Sequence, residues 1–188
     1  MKKSFIAMAV AGLLIGSSVA SAAVYKVDVS HSTVGFKVKH MMVSTVTGKF
    51  GTFTGSYDLE KGKFKTLSGQ IKADSVDTGI KKRDDHLRSA DFFDVEKFSD
   101  VSFVMTSATK TKMTGDLTIH GITKKVTLAI EMGGVVEDPN GNMRSGFVLT
   151  GSIKRKDFGL TWNKAIEAGG VVVGDEVKLI VEVEGIEE

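Results

Sequence analysis

Four histidines (His31, His40, His86 and His120) and scattered serines and aspartates are the side chains that could serve as bases, nucleophiles or metal ligands. Their spacing assembles no recognisable chemistry. No H-x-x-x-H or H-E-x-x-H pattern places two imidazoles on one face for a metal ion. No G-x-S-x-G turn presents a serine nucleophile. Cysteine is absent, which removes thiolate chemistry, disulfides and lipid attachment at a leader cysteine. His120 falls at a turn, where an imidazole more often bonds backbone than moves protons. These residues point to binding rather than catalysis, with no cofactor or metal.

One charged segment stands apart. Thr78–Asp91, TGIKKRDDHLRSAD, sets Ile80, Leu87 and Ala90 near helical spacing among charges, which predicts a short surface helix with Thr78 as N-cap. Phe92 and Phe93 then turn back into the core, which pins the helix across one end of whatever the strands enclose. There Arg83, His86 and Arg88 would stand at a mouth and meet a ligand head group. The alternative is a solvated face on which Asp84 or Asp85 pairs with Arg88, with Arg83 and His86 latching the helix down.

The elements that must position these groups are strands. In Lys112–Met132, Leu117 and Ile119 alternate with polar residues. Beyond Gly121, Val126, Leu128, Ile130 and Met132 do the same, the pattern of a hairpin with one dry and one wet face. Alternation marks about nine strands, among them Gly48–Leu59 and Leu67–Val76, and short strands at regular spacing read as a sandwich or barrel. Glycines inside strands (Gly35, Gly51, Gly55, Gly115 and Gly151) favour sharp bending and closure. The inward set is Phe36, Val38, Phe53, Tyr57, Ile71, Phe103, Met105, Leu117, Ile119, Val126, Leu128, Phe147, Leu149, Phe158, Leu160 and Trp162. It is apolar, with Tyr57 and Trp162 as its only polar handles. Such a set either fills a solid core or walls a cavity.

Residues 1–22 read as a secretory leader: Lys2 and Lys3, the apolar run Phe5–Ile15, and Ala20-Ser21-Ala22 for cleavage after Ala22. The run is too short to span a bilayer, which takes about 20 residues. The style is bacterial, so the expected location is the periplasm. Residues 23–188 then form one domain. Lys2 and Lys3 are the leader's only charges, so 25 basic residues less these two leave 23, against 23 acidic. A neutral chain argues against nucleic acid as a partner.

Three segments carry a family resemblance. They are Asp77-Thr78 with Lys82–Phe93, Gly115–Lys124 (GDLTIHGITK), and Arg155–Leu160 (RKDFGL), with Phe36–His40 and Val173–Val177 in support. Together they resemble the YceI family over the whole chain beyond the leader. Ser99 and Lys125 depart from it, standing where the family often has proline. The resemblance implies an all-β fold, an extended eight-stranded antiparallel lipocalin-like barrel with one short surface helix. It also implies a pore holding a long isoprenoid or other amphiphile, with the inward set as its wall. The expected function is a non-enzymatic periplasmic protein that sequesters or transports an isoprenoid-type lipid, a polyprenol or quinone. The alternatives are fatty acids or fatty amides in a stress response, or a filled interaction barrel. Expected partners are the lipid and, transiently, inner-membrane redox or lipid-handling proteins; a homodimer stays open.

Overall fold

The computed structural model describes residues 23–166 and 169–188, so the leader reading falls outside the described residues. The strand segments are β1 (Ala23–Val27), β2 (Thr33–His40), β3 (Ser44–Phe50), β4 (Phe53–Glu60), β5 (Lys63–Lys72), β6 (Val76–Asp77), β7 (Asp100–Ala108), β8 (Lys112–Ile119), β9 (Ile122–Glu137), β10 (Met143–Lys154) and β11 (Val173–Glu187). One helix, α1 (Lys81–Arg88), joins β6 to β7. Three pairs of segments are halves of kinked strands. β1 and β2 both run antiparallel to β11. β4 and β3 pair with them in turn, and β5 and β6 with those. Counted this way the strands number eight, each beside its neighbour in the chain, and β11 returns to β1. The result is a closed up-and-down antiparallel barrel.

The kinks have local causes. The carboxylate of Asp28 accepts from the Ser30 N–H at 3.0 Å and starts a 3-10 turn, Val29–His31, between β1 and β2. The segment expected as one strand over Gly48–Leu59 breaks at Gly51–Thr52, and the one expected over Leu67–Val76 breaks at the 3-10 turn Ala73–Ser75. The N–H of Gly51 donates to the Ser75 carbonyl at 3.0 Å, so the second and third breaks lie side by side. A crease across adjacent strands is what turns nine expected strands into eight bent ones.

The β8–β9 hairpin forms as the alternation predicts, with Ile119 opposite Ile122 around His120-Gly121. Both turn residues have positive φ, 52° and 71°, as a tight two-residue hairpin turn requires. The His120 ring packs against Phe98, centroids 4.5 Å apart, rather than bonding backbone.

Gly115, one of the glycines expected to bend the sheet, and Gly185, outside that set, make room for large neighbours. A Cβ at Gly115 would stand 2.3 Å from the Phe103 ring, and one at Gly185 would stand 2.4 Å from the Tyr57 hydroxyl. The aromatics therefore lie flat on bare backbone. At one end this packs a plug. Tyr25 stacks on Tyr57 at 5.3 Å, and Tyr57 and Phe64 each meet the Phe147 ring edge-on at 5.0 and 4.9 Å. The Tyr57 hydroxyl donates to the Ser145 carbonyl at 3.0 Å and shares a 2.6 Å bond with its Oγ. Burial pushes the phenol's pKa upward, which keeps it a neutral donor. Tyr57→Phe should cost about 1–3 kcal/mol in urea unfolding, because a buried serine loses its partner. An unchanged midpoint would show that the bond adds nothing.

Candidate ligand cavity

Above the plug the barrel is hollow. The interior cavity has a volume of about 220 Å³, where about 150 Å³ of apolar space already holds a benzene-sized guest. The space exists because two inward positions carry no side chain: Gly55 on β4 stands directly opposite Gly69 on β5. Phe53 and Tyr57 flank the first along the strand, Leu67 and Ile71 the second, and all six positions line the cavity.

Twelve of the sixteen residues expected to face inward line this space: Phe36, Val38, Phe53, Tyr57, Ile71, Phe103, Leu117, Ile119, Leu128, Phe147, Leu149 and Leu160. Four do not. Met105 sits beside a bulge in β7 and packs on the plug cluster, while Val126 packs on the cluster at the helix end. Phe158 belongs to the 3-10 turn Arg155–Phe158 and is wholly buried in that second cluster. Trp162 leaves the barrel and packs against His86 and Phe92 at 4.7 and 5.3 Å.

The wall also contains residues that the inward set omits. Val177, Leu179, Val181 and Val183 contribute one face of β11, and Leu87, Phe92 and Phe93 close the helix end. Arg155 is the unexpected one. It opens the 3-10 turn after β10, two residues beyond the inward Ile153, is 3 % exposed, and among the described residues meets no carboxylate within ion-pair distance. Its Nε donates to the Gly174 carbonyl at 2.9 Å, and its terminal nitrogens donate to the carbonyls of Leu160 and Val173. Burial lowers its pKa, and the charge of Asp175 opposes that shift. The guanidinium staples the start of β11 to Leu160, and the aliphatic stem fits the carbon wall. The Tyr57 hydroxyl being spent on Ser145, the cavity offers a guest almost only carbon.

The helix residues are fastenings. Helix α1 begins at Lys81, with Ile80 as N-cap and no side-chain capping bond. Thr78 does not cap it; instead its N–H and hydroxyl donate to the buried Asp84 carboxylate. Arg83 donates to Thr78 Oγ1 at 2.7 Å and to the Thr78 carbonyl at 2.8 Å. Arg88 reaches the carbonyls of Asp74 and Val76 at 2.6 and 2.8 Å, and pairs with Asp85 at 3.2 Å. His86 bonds Asp91 at 2.8 Å and stands between Phe92 and Trp162. None of Arg83, His86 and Arg88 lines the cavity; Arg88 ties the helix to β6 and the turn before it, Arg83 to Thr78 just after β6, and His86 to Asp91 and Trp162.

A family model for the YceI-like domain matches residues 25–185, almost all of the described barrel. The chain belongs to the YceI-like family. Its YceI-like barrel is similar in sequence to the UPF0312 proteins of Staphylococcus aureus, 40% identical over 154 residues, covering 80% of this chain and 90% of theirs. In three dimensions it resembles the YceI protein of Campylobacter jejuni, at a TM-score of 0.70 and 37% identity, covering 80% of this chain and 90% of that one. Two structures of lower identity share the fold. These are BcnA of Burkholderia cenocepacia (24% identity, TM-score 0.71, 84% of this chain and 98% of that one) and a polyisoprenoid-binding domain of Saccharophagus degradans (15%, 0.66, 89% and 100%).

Outside the cavity, Asp28, His31 and Glu184 bring three possible metal ligands together at the plugged end. Arg144 stands among them, donating to Asp28 at 3.0 Å, Glu184 at 2.6 Å and Asp138 at 2.8 Å. Its guanidinium takes oxygens a cation would need, so the cluster is an ion-pair network joining the turn after β1 to β10 and β11. His31 and Arg144 hold the Asp28 carboxyl down at about 2, from 3.8. A carboxyl depressed in the folded state stabilises fully above its unfolded pKa and loses that contribution as pH falls through its folded one. Stability should therefore drop between about pH 4 and pH 2. Asp28→Asn should flatten that part of the profile in urea melts, and an unchanged slope would contradict the network.

Proposed function

We propose that this protein is a carrier that holds one long-chain, isoprenoid-type lipid, such as a polyprenol or quinone, with its tail threaded along the barrel axis. The observation that carries this reading is a hollow, carbon-walled cavity, closed at one end by Tyr25, Tyr57, Phe64 and Phe147 and roofed at the other by Leu87, Phe92 and Phe93. The polyisoprenoid-binding name of the Saccharophagus domain, which shares the fold, agrees with it. A binding role without catalysis, export to the periplasm with cleavage after Ala22, and transient contact with inner-membrane redox or lipid-handling proteins complete the proposal. The lipid is cargo, and the barrel uses no cofactor. Fatty acids or fatty amides are the second reading, since a carbon wall reads tail length and width more than chemical identity.

The test is a competition series of prenols and fatty amides of graded tail length, at low and high ionic strength. Each methylene buried adds about 0.8 kcal/mol, so affinity should rise about fourfold per carbon until the tail meets the plug. Head-group charge and salt should matter little in solution, because apolar burial is not screened. Strong salt dependence with a flat response to length would mean that the head group holds the ligand.

A further inference from the structure

We infer that the β2–β3 hairpin is a membrane-docking tip that sets the mouth of the cavity on an anionic phospholipid bilayer. The inference rests on the carrier reading above. The turn is His40-Met41-Met42-Val43, closed by the Val43 N–H donating to the His40 carbonyl at 3.2 Å. Met41 and Met42 both have positive φ, 48° and 63°. That geometry suits Asn-Gly, and a side chain there costs about 1–2 kcal/mol per residue. The two methionines are 41 % and 60 % exposed, and Val43 is 85 % exposed. The chain thus holds three apolar side chains in water on a strained turn, where a polar pair would fold better.

The tip stands at the mouth. The plug closes the far end of the barrel, and the wall residue Val173 pairs directly with His40, while the Met41 N–H donates to the Val172 carbonyl at 2.8 Å. Ile80, 53 % exposed, lies on the same rim, because the chain leaving β6 runs beside β3. The charge beside the tip is mostly positive, the acids there being Asp175 and Glu176 on the stretch of β11 next to Lys39, and Asp77 across from Lys49. Between Asp28 and Asp58 the sequence contains no acidic residue, but it contains Lys37, Lys39 and Lys49. All three are exposed. Acids on the neighbouring helix are engaged: Asp85 by Lys81 and Arg88, Asp91 by His86, and Asp84 by Thr78. The exposed Val135 and Val136 at the plugged end are instead followed by Glu137 and Asp138 and suit no anionic surface. An apolar tip with a basic excess on its rim, Lys37 and Lys39 nearest, suits an anionic bilayer, where each lysine near the surface adds about 1 kcal/mol.

The experiment compares the full chain with Met41→Asn/Met42→Gly, which gives the turn its preferred residues, and with Lys37→Gln/Lys39→Gln. Co-sedimentation with phosphatidylglycerol vesicles is measured against phosphatidylcholine vesicles. Loading of a prenol is measured twice, from those vesicles and from dilute monomer in solution. Docking predicts preference for phosphatidylglycerol and roughly thirtyfold weaker partitioning for the lysine variant. For the turn variant it predicts slower loading from vesicles with unchanged loading from solution. Equal co-sedimentation of all three proteins, or equal loading of the turn variant from vesicles, would overturn it. Failure of every protein to load in the solution arm would count against the carrier reading alone, since co-sedimentation reads docking without it.

Discussion

Gly69→Leu should abolish lipid binding and leave the barrel intact. Gly69 faces inward between Leu67 and Ile71, and a Cβ built there meets only the Thr54 carbonyl oxygen, at 3.6 Å. Its backbone has no positive φ, so a branched side chain enters without strain. The new isobutyl group occupies the space that Gly55 and Gly69 leave open, and bound lipid should fall from stoichiometric to undetectable. The thermal midpoint should hold or rise, because replacing glycine stiffens the unfolded chain by about 0.4–1 kcal/mol. Gly55 is the wrong place for this test, since its Cβ would strike the Ser68 carbonyl at 2.9 Å. Full occupancy in Gly69→Leu, measured by native mass spectrometry, would mean that the ligand does not use the cavity.

Phe147→Asp should be the most damaging substitution. Phe147 is 3 % exposed, meets Tyr57 and Phe64 edge-on, and forms part of the cavity wall. A carboxylate there is an unpaired buried charge that costs several kcal/mol, while the loss of the ring opens a hole in the plug. The variant should unfold at much lower urea than the parent and carry no lipid. Phe147→Leu separates the two effects, since it keeps the wall apolar and should retain lipid with a smaller loss of stability. Normal folding and full lipid in Phe147→Asp would place this side chain outside both plug and wall.

The sequence made the strands legible because alternation reports directly on a sheet with one dry face, as Leu117, Ile119, Val126 and Leu128 show. It also located the helix that roofs the cavity, though not its start, because Thr78 looks like a cap and serves as a donor to Asp84. Arg155 was hidden by its charge. The two-residue step from Ile153 pointed it inward, but an arginine suggests the surface until its carbonyl partners at the start of β11 and at Leu160 are known. The alternation of Val177, Leu179, Val181 and Val183 was equally visible and marks a wall that the inward set left out. Trp162 failed for the opposite reason. It lies outside any strand, so no periodicity orients it, and tertiary packing against His86 and Phe92 carries it out of the barrel. The Gly55–Gly69 gap was out of reach, because only the register of β4 against β5 brings the two glycines face to face.

Solvent extraction of the protein purified from its own cells without detergent, followed by mass spectrometry, decides whether the cavity carries a lipid. The carrier should yield one long-chain, weakly polar lipid in near-stoichiometric amount, lost in Gly69→Leu. An empty barrel, or a short polar molecule retained equally by both proteins, would contradict the carrier reading.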